Sequence, residues 1–217
     1  GNYIAAFGGN INLGIFNNIK GGGTGSAIAN RGSYNTVFFT NNEGYNLGFV
    51  GHYGKNGKNL CFINNKFEKF NSPIAPFKTL FFKDNYIKEL NILTSSAGLR
   101  SNKNFIFYNN KGDEIKTAIG RVVIDNYYFM NNNFSEKEIE LVLNRYTKHI
   151  YASDLNFYKE NKHNFDIKDY HEPYEIQEDH FHRLMKEDNL TDLIEIDPKS
   201  ETLIEDLLKV YENHKND

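Results

Sequence analysis

Six times between residues 15 and 132 the chain repeats one phrase, an apolar and mostly aromatic run ending in polar corner residues. It reads "IFNN" at Ile15–Asn18, "FFTNN" at Phe38–Asn42, "CFINN" at Cys61–Asn65, "FFKDN" at Phe81–Asn85, "IFYNN" at Ile106–Asn110 and "YFMNN" at Tyr128–Asn132. Copies stand 20 to 25 residues apart. Aromatic and β-branched side chains suit a pleated, half-buried surface, and Asn tolerates the left-handed backbone that tight turns demand. A strand, a turn, a return strand and a connection use roughly 20 residues, so the spacing predicts consecutive hairpins. The residues between copies do not align, which favours repeated architecture over a solenoid. The expectation is an all-β, antiparallel sandwich.

Strands follow on that frame. "YNTVFFT" at Tyr34–Thr40 leads through a turn into "YNLGFVGHY" at Tyr45–Tyr53, and "KNLCFINNKFEKF" at Lys58–Phe70 reads as one hairpin. "RVVIDNYYF" at Arg121–Phe129 has strand composition. Ser135 and Glu138 then have capping-box spacing, and Ile139, Val142, Leu143 and Tyr146 form one apolar helical face. These predict a last strand running into a short closing helix.

Composition changes near residue 150. All 17 glycines lie at or before Gly120, and six of the seven histidines at or after His149. Tyr151–Asp217 carries 18 acidic residues against 8 Lys and Arg, a balance of −10, so the net −3 of the chain leaves +7 before it. A boundary is therefore expected between a domain over 1–149 and an acidic segment over 150–217. In the latter, Asp197-Pro198 predicts a helix start, with Leu203, Leu207, Leu208 and Tyr211 at helical spacing, and Gln177–Asn189 offers a shorter helix. Their apolar stripes must pack on the sheets or on another chain, so residues 178–213 are expected to hold a protein partner or to self-associate. The single cysteine, Cys61, excludes an internal disulfide. No apolar run reaches the roughly 18 residues a membrane span requires, and membrane insertion is not expected. Gly1 in place of Met predicts a processed or excised piece.

Two segments resemble the concanavalin A-like lectin/glucanase superfamily, in particular its laminin-G-like members. "FMNNNFSEKEIELV" at Phe129–Val142 is similar to that family's closing strand and helix start, with Phe134, Ser135, Glu138 and Ile139 at the matching positions. "LCFINNKFEKF" at Leu60–Phe70 is similar to a family hairpin, with Asn65 where glycine is usual. The resemblance implies a jelly-roll β-sandwich over 1 to about 148. "AIGRVVIDNYYFMNN" also resembles choline-binding and clostridial-toxin hairpin repeats, with Asn126 at their turn glycine.

Enzymes of that superfamily need two carboxylates about a sugar. Glu195, Asp197 and Glu201 in "EIDPKSE" have the wrong spacing, and Asp197-Pro198 reads as a helix cap. His171, His180 and His182 have no cysteine to complete a metal set and read as a solvated acidic face. "GGGTGSA" at Gly21–Ala27 lacks the Gly-Lys-Ser/Thr of a phosphate loop. No catalytic residue, metal or cofactor is expected, and no nucleic-acid partner. Sugar sites need flat aromatic faces beside amide and carboxylate groups. Tyr45, His52 and Tyr53, together with Asp84, Asn85 and Tyr86, have that composition. The expected role is non-catalytic recognition of a cell-surface glycan, on a virion such as a phage tail or on a bacterial surface. The alternatives are an architectural assembly domain or a glycoside hydrolase.

Overall fold

Long apolar runs need cover on both sides, and that requirement governs the architecture. The computed structural model describes residues 3–7, 11–21, 27–30, 34–50, 57–74, 77–94, 100–118, 122–135, 139–140, 147–152, 186 and 190–214. In chain order the strands are β1 (Tyr3–Phe7), β2 (Ile11–Asn17), β3 (Lys20–Gly21), β4 (Ala27–Asn30), β5 (Tyr34–Thr40) and β6 (Glu43–Val50). They continue as β7 (Gly57–Ile63), β8 (Lys66–Ile74), β9 (Phe77–Lys83), β10 (Tyr86–Thr94), β11 (Arg100–Tyr108), β12 (Lys111–Gly112) and β13 (Glu114–Ala118). The last are β14 (Val122–Met130), β15 (Asn133–Phe134), β16 (Ile139–Glu140) and β17 (Thr147–Ala152), and two helices follow, α1 (Thr191–Glu195) and α2 (Leu203–His214).

Two sheets take these strands alternately. Sheet I runs β1-β4-β6-β8-β10-β12-β15, with β3, β13 and β16 beside that path, and sheet II runs β17-β14-β11-β9-β7-β5-β2. Every pairing is parallel: Cys61 of β7 lies between Phe38 of β5 and Phe81 of β9, and Phe67 of β8 lies between Gly44 of β6 and Ile87 of β10. Each coil is thus a sheet II strand, a sharp corner, a sheet I strand and a return. The molecule is a two-sheet parallel β-solenoid.

This corrects the expected antiparallel jelly-roll sandwich and its hairpins. Parallel sheets are familiar from α/β folds, where a helix makes the crossover; here a strand of the other sheet does. The reason lies at the corners. Asn18, Asn41, Asn64, Asp84, Asn109 and Asn131 hold φ between 52° and 55°, and the residue after each does not share the positive φ. A type I′ hairpin needs positive φ at both central residues, and these corners have it at one; each carries the chain from sheet II into sheet I instead of back beside its own strand. The corners recur at 23, 23, 20, 25 and 22 positions, one per coil. Leu60–Phe70 is therefore two strands in different sheets. The expected closing helix is also replaced in part: Ile139–Glu140 pairs with β13 as a strand, while Glu138 and residues 141–146 lie outside the described residues. Strand β17 runs across the boundary expected at 149/150.

Between the sheets, Phe16, Phe39, Phe62, Phe82 and Phe107 form a continuous stack with ring centroids 5.0, 4.9, 4.6 and 5.0 Å apart. Phe70 from sheet I meets Phe62 and Phe82 edge-on at 5.1 and 5.3 Å. The outer face of sheet II is apolar too: Phe38, Cys61, Ile63, Phe81, Ile106 and Tyr128 pack against Leu190, Leu193, Ile196, Leu203 and Leu207. The helical segment thus covers the solenoid's own sheet, and Asn12 Nδ2 donates to the Tyr211 hydroxyl where α2 reaches β2. Helix α2 begins five residues beyond Pro198. Asp197 Oδ1 accepts from the Lys199 N–H at 2.9 Å and Asp197 O from Ser200 N–H at 3.0 Å, which closes a turn instead.

Candidate functional site

The corner asparagines divide into two rows with different work. Behind five of the six left-handed residues, all but Asn18, comes a second amide, Asn42, Asn65, Asn85, Asn110 or Asn132, turned into the coil. Each interior one is joined to its neighbours fourfold. Asn65 Nδ2 donates to Phe39 O and to Asn85 Oδ1, both at 2.9 Å. Its Oδ1 accepts from the Asn42 N–H and from Asn42 Nδ2, both at 3.0 Å. Asn85 repeats this with Phe62 O and Asn110, and Asn110 with Phe82 O and Asn132. The ladder satisfies the backbone groups that the corner removes from the sheets. In the outer row, Asn64 Nδ2 donates to Asn41 Oδ1 at 2.7 Å, and Asn109 Nδ2 to Asp84 Oδ1.

Asn85 therefore belongs to the ladder, 1% exposed with its amide fully engaged. Asp84 sits at a corner, paired with Lys83 Nζ and with Asn109. His52 and Tyr53 lie outside the described residues. Tyr45 and Tyr86 are both on the outer face of sheet I, 39% and 41% exposed. The structure brings these two to one surface and sets Asp84 and Asn85 apart from it.

Alternation builds that surface. In β8, Lys66 and Glu68 point to solvent and Phe67 inward; in β10, Tyr86 and Lys88 point out and Ile87 inward. Register then aligns Lys20, Glu43, Lys66, Tyr86, Lys111 and Asn133 in one exposed row across successive strands. Tyr45 lies two residues beyond Glu43 and two strands from Tyr86, roughly 12 Å away by strand spacing and rise. Beside Tyr45 is an open depression of about 470 Å³ lined by Lys20, Glu43, Tyr45, Lys66 and Glu68 around the backbones of Gly21 and Gly44. Gly44 keeps a close backbone approach there: a Cβ on it would come within 2.8 Å of Gly21 O. Lys66 pairs with Glu43 at 3.2 Å and Lys69 with Glu89 at 2.7 Å. The hydrogen bond and charge of Glu89 hold the Lys69 ammonium above its ordinary pKa, with a smaller contribution from Tyr45. Such exposed pairs fix side chains in place more than they stabilise the fold.

Glu195 ends α1 and Asp197 belongs to the turn described above, while His171, His180 and His182 lie outside the described residues. Among the described residues, no three His, Cys, Asp or Glu side chains are placed to hold a metal ion. No helix there is long and apolar enough to cross a membrane. Comparison of the chain with protein-family models, with curated proteins and with solved structures finds no match. The class is therefore set by the fold alone: a parallel β-solenoid with an internal asparagine ladder, one charged and aromatic face, and one apolar face under helices.

Proposed function

We propose that this solenoid is a non-catalytic recognition module that binds a carbohydrate on the outer face of sheet I. One observation carries the reading: Tyr45 and Tyr86 stay exposed on the same face, beside a polar depression, while the coil aromatics Phe38, Phe39, Phe62, Phe70, Phe81, Phe82, Phe105 and Phe107 are buried. A tyrosine ring offers an apolar plate to the C–H face of a sugar, and the flanking lysines and glutamates supply donors and acceptors for its hydroxyls.

The test is an array of cell-surface glycans probed with the wild-type chain and with Tyr45→Ala/Tyr86→Ala. Loss of two stacking plates should weaken the retained signal about tenfold, with an unchanged far-ultraviolet spectrum because both rings are at the surface. A blank array, or equal binding by both proteins, removes the reading.

A further inference from the structure

We infer that the outer face of sheet II is a helix-docking surface that accepts α1 and α2 of a second copy of this chain in place of its own. The face is apolar on consecutive coils, with Phe38, Cys61, Phe81, Ile106 and Tyr128 in neighbouring strands. It does not complete itself; a helical cover supplied from elsewhere in the chain does so.

That cover has the form of a ligand. Leu203, Leu207 and Val210 stand at i, i+4 and i+7 on α2, the spacing by which an amphipathic helix enters an apolar groove. A helical turn rises about 5.4 Å and neighbouring strands lie about 4.8 Å apart, so a helix laid across the coils offers about one anchor per strand. Charge favours the same pairing, since the segment from Tyr151 carries −10 and the chain before it +7. Its attachment leaves the choice of copy open: Ala152, ending β17, and Leu190 are 38 positions apart, a contour of roughly 120 Å when extended. The contacts made by an exchanged helix are those of the helix at home, so only effective concentration separates the two arrangements. Covalent connection places the helix of the same chain at an effective concentration on the order of millimolar. Exchange therefore grows as protein concentration approaches that value, or when copies are crowded on a surface. The exchanged dimer leaves both sheet I faces open, which on the carbohydrate reading makes it bivalent.

The experiment mixes ¹⁵N-labelled and unlabelled full-length chain from about 10 µM to about 1 mM and follows the species by native mass spectrometry. Dimers of intermediate mass should appear and rise with concentration, and should fall at least tenfold in Leu203→Asp/Leu207→Asp. An excess of a peptide spanning Leu190–His214 should convert wild-type dimers to chains carrying one peptide each. Monomer alone at every concentration overturns the inference. So do dimers undiminished in the double variant or untouched by the peptide. Where the double variant loses its sheet spectrum, the peptide arm decides on the wild-type protein alone. None of these readouts depends on sugar binding.

Discussion

An asparagine amide has two N–H donors and an oxygen with two lone pairs, which makes it the shortest uncharged side chain able to form four hydrogen bonds. Asn65 uses all four, three to the preceding coil and one to the following coil. Asn65→Ala takes their side-chain partner from the Asn42 N–H and the Phe39 carbonyl, and one hydrogen bond each from the Asn42 and Asn85 amides, in a buried interior. With each buried orphan costing about 1–3 kcal/mol before relaxation, the variant should lose about 3 kcal/mol or more. Asn132 is half-buried on the last described rung of the ladder, where water can take its place, so Asn132→Ala should cost only about 1 kcal/mol. Urea midpoints of the two variants check the difference, and equal losses would mean that the ladder contributes little. The left-handed role of Asn was legible in the sequence, and all the positive-φ corners fall inside the repeated phrase. The role of the second asparagine was not, because composition does not reveal which way a side chain points. Asn85 was accordingly grouped with surface residues.

At the scale of elements, the decisive sign was present and outweighed by the turn residues. Val37-Phe38-Phe39, Leu60-Cys61-Phe62-Ile63 and Leu80-Phe81-Phe82 have no polar residue on either face and are wholly buried. Unbroken apolar runs mark parallel strands covered on both sides, whereas the strict alternation of Lys66-Phe67-Glu68 marks a sheet with one wet face. The amphipathic stripe of α2 was readable, and its packing partner was not, since a stripe records that something covers it without recording what. Of the candidate site, exposure of Tyr45 and Tyr86 follows from that alternation. Cys61 reports on the cover directly. Burial pushes its thiol far above the ordinary 9.0 and leaves it 0% exposed beneath the helices. Leu203→Asp/Leu207→Asp should bring the thiol back towards its ordinary pKa and raise its rate of reaction with DTNB at least about tenfold, through both access and thiolate fraction. A protected Cys61 in a variant with an intact sheet spectrum would show that α2 is not its cover.

For the whole molecule, stacking makes stability a sum over neighbours along one axis, with the helical cover adding a second, transverse set of contacts. Sequence separation between paired strands stays near one coil, so each contact closes a loop of modest length, and no strand waits for a distant partner. The consequence can be tested with one residue type at two heights. Phe62 is wholly buried between Phe39 and Phe82 and meets Phe70 edge-on, whereas Phe16, at the coil nearest the N-terminus of the stack, is half-buried against Phe39. Phe62→Ala opens a cavity that the coils on either side cannot both close, and should cost about 3–5 kcal/mol. Phe16→Ala removes less buried surface from a place where one neighbour can relax, and should cost about half as much. The shapes of the transitions matter as much as their midpoints. If the coils and their helical cover unfold as one unit, both variants shift a single urea transition and keep its slope. If the ends loosen independently, Phe16→Ala should broaden the transition and lower its slope, while Phe62→Ala shifts it intact. Equal midpoint shifts from the two substitutions would contradict a solenoid whose stability is set locally, coil by coil.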